Sequence, residues 1–311
     1  MALSQPAAVV LRALGLGDLL TAVPALRGVR RALPGHRLVL ATDPALEELV
    51  HRIGVVDAVL PAHGLDPLEW AGPPPDVAVN LHGRGPQSHR LLGSLGACRL
   101  VAFGCADAGV SGPPWVPEEH EVRRWCRLVS VGLDVRTDPA HLRLPAPRPP
   151  VRMSGTVVVH PGAAHPARRW PADRFAAVAS GLAEHAREVI VTGSANEAAL
   201  GEEVAAAAGL TPTAVLAGKT SIAELVGLVS HARLVVCGDT GMAHLASAFG
   251  VPSVVLFGPT PPRWWGPPAH GPHIALWHGT QPGDPWAQSP DPALLAITVP
   301  EVLRAAQQLL E

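Results

Sequence analysis

At 311 residues and a net charge of −2, the chain is long enough for two ordinary domains and carries no bulk charge toward nucleic acid or an anionic membrane. With 48% hydrophobic and only 16% charged residues, it is not a disordered chain. Four cysteines without CxxC spacing (Cys98, Cys105, Cys126, Cys237) favour a reduced, cytoplasmic chain over a disulfide framework, and no apolar run nears the about 20 residues of a membrane span.

The first apolar run, residues 8–12 (AVVLR), has no basic segment before it and ends in Arg12, so no signal peptide is expected. It leads into Gly15-Leu16-Gly17-Asp18 and a helix-length segment to Ala32, inside which Pro24 either starts a helix or kinks one. Further short strands are predicted at residues 37–41, 56–60, 76–81 and 99–103, with a helix at 88–95. Residues 142–155 (LRLPAPRPPVRMSG) are too rich in proline for a helix or central strand and read as a linker. Strands then resume at 156–160, 188–193, 233–237 and 252–257. Helices are expected at about 173–184 and 195–208, and after an S-x-x-E capping box at Ser221–Glu224. A last amphipathic helix presents Val302, Leu303, Ala306, Leu309 and Leu310. Strand–helix alternation on both sides of a hinge predicts two doubly wound α/β domains, 1–145 and 155–298, followed by a C-terminal helix, 299–311. In such sheets ligands bind beyond the C-terminal strand ends, and two domains imply a cleft between them.

Four polar turns follow predicted strands. In Gly15-Leu16-Gly17-Asp18 the glycines permit positive φ and close backbone approach, while Asp18 is either a first-turn helix acid or a functional carboxylate. A dinucleotide fingerprint fails there, because its third glycine would be Leu20. In HPGAAHPARRWP, Gly162 and its small neighbours leave backbone N–H groups open to an anion, and Arg168 and Arg169 follow. In Gly193-Ser194-Ala195-Asn196-Glu197, Ser194 and Glu197 form a capping box, or Glu197 binds ribose hydroxyls. In GDTGMAHLASAFG, Asp239 or Thr240 caps a helix whose opening, with Gly241 and His244 close by, suits a diphosphate. His82, His89, His270 and His273 lack metal-ligand spacing, so no metal is expected, and Trp264 and Trp265 either stack on a base or sugar or pack beneath a loop.

Together and in this order, LRALGLGDLLTAVPALRGVRRALPG, HPGAAHPARRWPADRF, VTGSANE and GDTGMAHLASAFGVPSVVLFGPT resemble the family 9 glycosyltransferases, the heptosyltransferase-like group. The resemblance implies a GT-B fold of two Rossmann-like domains, the first holding the acceptor and the second a sugar nucleotide. It implies inverting, metal-independent transfer with no cofactor beyond the nucleotide-sugar co-substrate. Asp18, in the loop of Gly15 and Gly17, would then be the general base. Gly162, Arg168, Thr240 and Gly241 would meet the diphosphate, Asp239 the sugar hydroxyls, Glu197 the ribose and His244 the phosphate or sugar region. Arg168 stands where the family usually has lysine, and Ala163 and Ala164 where a hydroxyl residue is frequent. The expected partners are a sugar nucleotide, typically ADP-heptose, and a glycan, lipopolysaccharide-like glycolipid or small-molecule acceptor. A modest basic face (Arg27, Arg30, Arg31, Arg37) would allow at most peripheral membrane contact. The rival readings are an NAD(P)-dependent oxidoreductase and a catalytically silent nucleotide-binding protein.

Overall fold

The computed structural model describes residues 5–148 and 155–311, so the centre of the proline-rich stretch expected to be a linker, 149–154, lies outside the described residues. The chain forms two compact units, Met1–Leu142 and Arg143–Glu311.

In unit 1, strands β1 (Ala7–Leu11), β2 (Arg37–Thr42), β3 (Ala58–Pro61), β4 (Val77–Asn80) and β5 (Arg99–Val101) form a parallel sheet in the order β3-β2-β1-β4-β5. The helices are α1 (Leu16–Thr21), α2 (Val23–Ala32), α3 (Glu47–Ile53), α4 (Gln87–Gly93) and α5 (Glu121–Leu133). Val9, Leu11, Val39, Ala41 and Ala78 are buried on one face, and Ala8, Val10, Leu38, Leu40 and Val79 are buried on the other. A strand covered on both faces reads as a continuous apolar run, which is why AVVL is legible as a central strand. Pro24 lies in the first turn of α2, and the chain turns at Ala22, so it starts a second helix and does not kink one long one.

In unit 2, β6 (Thr156–His160), β7 (Glu188–Val191), β8 (Leu234–Gly238), β9 (Ser253–Leu256) and β10 (His273–Leu276) are parallel in the order β10-β9-β8-β6-β7. Its helices are α6 (Ala172–Ala183), α7 (Ala198–Ala207), α8 (Ile222–Ser230), α9 (Gly241–Phe249), α10 (Pro262–Trp265), α11 (Pro292–Leu295) and α12 (Val299–Leu310). α12 belongs to this unit: Val302 and Ala306 share a core with Val157, Val159 and Val236.

The two sheets are wound differently. Unit 1 has the 3-2-1-4-5 order of a Rossmann sheet, whereas unit 2, counted from β6, has the 2-1-3-4-5 order of a flavodoxin-like one. In each, the direction of winding reverses beside the first strand, between β1 and β4 and between β6 and β8. At those switch points neighbouring loops diverge and leave a crevice at the C-terminal strand ends.

Candidate active site

At the unit 1 switch point the chain leaves β1 through Arg12, whose guanidinium organises the turn. Although it is a charged residue it is 1% exposed. Its Nε donates to the Asp18 carbonyl (2.9 Å), and its Nη2 donates to Asp18 Oδ1 (3.2 Å), Thr21 Oγ1 (3.1 Å) and Glu121 Oε1 (3.0 Å). Its Nη1 donates to the carbonyl of Leu81, directly after β4. The cation also lies over the Trp125 ring, 4.8 Å from its centroid. Asp18 itself, in the first turn of α1, is only partly covered, its side chain 29% exposed. Burial raises its carboxyl above the ordinary aspartate value, Arg12 opposes that rise, and Glu121 adds to it.

The glycines of this loop work otherwise than expected. Gly15 is extended (φ −73°, ψ 178°) as the residue preceding α1, and Gly17 lies within the helix with φ on the negative side. Neither adopts the left-handed conformation. What Gly15 provides is bare backbone beside Asp18: a Cβ there would sit 3.7 Å from Asp18 Oδ2, an ordinary contact.

His82 follows Leu81 on the same side. Its backbone N–H is held by Asn80 Oδ1 (2.9 Å), and its Nδ1 is buried with no partner. Burial, then the Arg12 charge, lowers its pKa to about 4, so it is a neutral imidazole near Arg12. His89, by contrast, is a core residue: Nε2 meets the Phe103 carbonyl (2.8 Å) and Nδ1 meets Asn80 Nδ2 (3.0 Å). Of the arginines of the basic face, Arg31 and Arg37 are exposed and Arg30 is partly buried. Arg30 is spent on Asp57 and on the carbonyls of Val55 and His36. Arg30 and Arg31 end α2, the helix that returns the chain to the start of β2, where Arg37 lies at the sheet end opposite Asp18.

The unit 2 switch point gathers the second, third and fourth polar turns. Asp239 follows β8 and is 5% exposed. Burial lifts its pKa to about 6, against the pull of the Arg168 guanidinium. Arg168 and Arg169, indistinguishable in sequence, separate here. Arg169 Nε ties down the loop after β6 by donating to Ala163 O (2.8 Å), whereas Arg168 carries a buried Nε without a partner. The Arg168 backbone lies against the end of β8, so close that a Cβ on Gly238 would come 3.3 Å from its carbonyl.

Thr240, and not Asp239, caps α9: its Oγ1 accepts from Met242 N (3.4 Å), with Gly241 as the first helical residue. His244, one turn in, packs edge-to-face on Trp265, with centroids 5.9 Å apart. After β7, Glu197 Oε2 accepts from the backbone N (2.8 Å) and hydroxyl (2.9 Å) of Ser194. The same carboxylate leans over Gly162, where a Cβ would lie 2.2 Å from Glu197 Oε1. Here the glycine leaves room for that close approach, and its φ plays no part. At the end of β6, His160 Nδ1 meets Thr192 Oγ1 (3.0 Å); burial lowers its pKa and Glu197 opposes that.

Gly162, Arg168, Glu197, Asp239, Thr240, Gly241 and His244 thus follow the neighbouring strands β6, β7 and β8 of one sheet, and Asp18 stands on the other. Arg12, His82 and Glu121 are not among the site residues expected from the sequence, where His82 is weighed only as a metal ligand. The available signal was an arginine ending a buried strand, since a buried guanidinium must have acidic partners.

The profile of glycosyltransferase family 9 (heptosyltransferase) matches residues 113–283, more than half of the chain. Lipopolysaccharide heptosyltransferase 2 of Salmonella typhimurium is 33% identical over 152 residues, covering 47% of this chain and 43% of that protein. Lipopolysaccharide heptosyltransferase 3 of Escherichia coli is 31% identical over 159 residues, 50% of this chain and 46% of the relative. The chain therefore matches under half the length of these curated relatives. Among solved structures, a family 9 glycosyltransferase from Veillonella parvula superposes with a TM-score of 0.80 at 20% identity, covering 100% of this chain and 98% of its own. The E. coli ADP-heptose lps heptosyltransferase II superposes at 0.79 and 21% identity, with 98% of each chain covered. These two likenesses establish the fold, the GT-B architecture of paired Rossmann-like units. With the profile running through the linker and all three polar turns of unit 2, the chain belongs to glycosyltransferase family 9, the heptosyltransferase family.

Proposed function

We propose that the protein is a glycosyltransferase that moves a heptose from ADP-heptose to a hydroxyl of a lipopolysaccharide-core-like acceptor, with inversion and without a metal ion. The observation that carries the reading is Asp239, a buried carboxylate at the C-terminal end of β8 within the field of Arg168. A buried acid of that kind calls for a ligand rich in hydroxyl groups, and a sugar supplies them. Around it, the opening of α9 at Thr240 and Gly241 and the bare backbone at Gly162 suit a diphosphate, Arg168 supplies a cation, and Glu197 faces the ribose. His244 holds the phosphate or sugar region.

In the reaction, Asp18 takes the proton of the acceptor hydroxyl while that oxygen attacks the anomeric carbon. The bond from that carbon to the diphosphate breaks, and its electron pair leaves on the β-phosphate oxygen. Arg168 and the α9 amides meet the growing charge, the role a divalent cation plays elsewhere. Attack from the face opposite the leaving group inverts the anomeric configuration. Such an enzyme works in the cytoplasm, where a nucleotide sugar is supplied, and touches a membrane only through its acceptor.

The test is transfer from ADP-heptose to a heptose-accepting core glycolipid, measured with and without EDTA. Activity should survive EDTA, the product should be inverted, and Asp18→Asn should lower kcat by about 10²–10⁴-fold. A fully active Asp18→Asn variant would remove Asp18 from the mechanism, and a retained configuration would overturn the single-displacement scheme.

A further inference from the structure

The base proposed above does not hold its cation alone. Arg12 Nη2 donates to Asp18 Oδ1 and, on its other side, to Glu121 Oε1 (3.2 and 3.0 Å). Glu121 begins α5 and is buried, 4% exposed. Its Oε1 also accepts from Trp125 Nε1 (2.7 Å), and its Oε2 pairs with Arg124. Arg124 is fastened in turn by the carbonyls of Val116, Pro117 and Glu119. Two guanidiniums and two carboxylates therefore form a chain, Arg124–Glu121–Arg12–Asp18, that becomes open to solvent only at Asp18. The other groups bearing on the Asp18 carboxyl are the backbone N–H groups of Gly15 and of Asp18 itself, which favour its ionised form, while the Thr21 hydroxyl donates to the Asp18 carbonyl (2.8 Å) and neutral His82 faces Arg12.

We infer that Glu121 is a positioning residue for the proposed transfer: by holding one side of Arg12, it aims Asp18 and keeps it basic. The inference rests on the proposed role of Asp18. An aspartate facing a buried guanidinium alone would be held strongly as the anion and would be a poor proton acceptor. Without Arg12, burial would raise the Asp18 carboxyl unopposed by that cation. Glu121 settles the compromise by drawing part of Arg12's charge to itself, while Arg124 holds Glu121 from its other oxygen. The geometry holds Arg12 from both sides, so the carboxylate is aimed without being over-neutralised.

The discriminating substitution is Glu121→Gln, which keeps an oxygen for Arg12 and Trp125 but deletes the charge. Asp18 is followed directly by NMR of ¹³C-labelled aspartate carboxyls in the full-length protein, its resonance assigned by its loss in Asp18→Asn. The expected result is an Asp18 titration about one unit lower than in the parent. The acidic limb of kcat/KM should move down with it, and the plateau rate should fall about three- to tenfold as the base weakens. Glu121→Asp should return the titration most of the way. If Glu121→Gln does not fold, Arg124→Gln tests the same chain in the opposite sense, because a Glu121 without Arg124 draws harder on Arg12 and raises the Asp18 titration. An unmoved titration, or a rate loss uniform across pH, would show Glu121 to be structural only and overturn the inference. A fully active Asp18→Asn would defeat the base assignment instead, and the titration would still decide whether Glu121 governs that carboxyl.

Discussion

A single buried charge explains more of this protein than any motif does. Arg12 interrupts an apolar run, and in sequence it merely shortened a strand. Its partner Glu121 lies 109 positions away, so no local pattern could join them. Asp18 was legible because it follows a strand and two glycines; what holds it was not. The same contrast applies to Asp239, which a strand end made conspicuous but whose burial only the fold reveals. Its cost can be measured. With a folded-state pKa of about 6 against an ordinary 3.8, the folded protein binds this proton more tightly than the unfolded chain does. The associated stability is complete below the ordinary value and is lost as pH rises through about 6. At pH 7.5 the ionised carboxylate therefore weakens the ligand-free fold by up to about 3 kcal/mol, the pull of Arg168 already included. Asp239→Asn should be the more stable protein by about 1–3 kcal/mol in urea melts at pH 7.5, with the gap closing by pH 4. A parent as stable as the variant at pH 7.5 would mean Arg168 compensates the charge in full.

Elements are where the sequence was read best. Buried parallel strands are nearly continuous apolar runs, and β1, β2, β6 and β8 all show it. β10 escaped because it is a half-buried edge strand between Pro-Gly turns, and α5 because its charged face hides Glu121 and Arg124, which point inward. The two capping boxes, Ser194–Glu197 and Ser221–Glu224, form as their spacing predicts. They are not equivalent, however. Glu224 faces solvent, while Glu197 is pressed over the loop after β6 at Gly162. That contact couples two turns and gives an element-scale prediction. In Gly162→Ala the methyl would occupy the space of the Glu197 carboxylate, which must swing away and leave both Ser194 donors. The helix loses a cap worth about 1 kcal/mol, so the variant should remain folded. Under the proposed function it should bind ADP at least about tenfold more weakly, since one lost charge-assisted contact is worth roughly 1.5–3 kcal/mol. Glu197→Gln should show much of the same defect, and isothermal titration of both variants checks it. Unchanged ADP affinity in Gly162→Ala would place the nucleotide elsewhere on the sheet.

At the scale of the molecule, each unit has its own sheet order, core and switch point, and the proposed chemistry divides along the same line. Asp18 and its charge chain belong to one unit, and every group assigned to the nucleotide sugar belongs to the other. Binding and turnover should therefore separate cleanly by mutation. A ligand present at 100 times its Kd stabilises the state it binds by about 2.7 kcal/mol. For a unit of unit 2's size this raises Tm by about 5–10 °C. ADP should produce that shift in the parent and equally in Asp18→Asn, which nonetheless fails to transfer. Arg168→Gln should lose most of the shift along with activity, because its guanidinium is the cation beside the proposed diphosphate site. UDP and GDP should shift the parent less than ADP if the donor is an ADP-sugar. The opposite pattern, a shift abolished by Asp18→Asn and preserved in Arg168→Gln, would exchange the roles given to the two units. Differential scanning fluorimetry of three proteins against three nucleotides decides between these outcomes without any acceptor in hand.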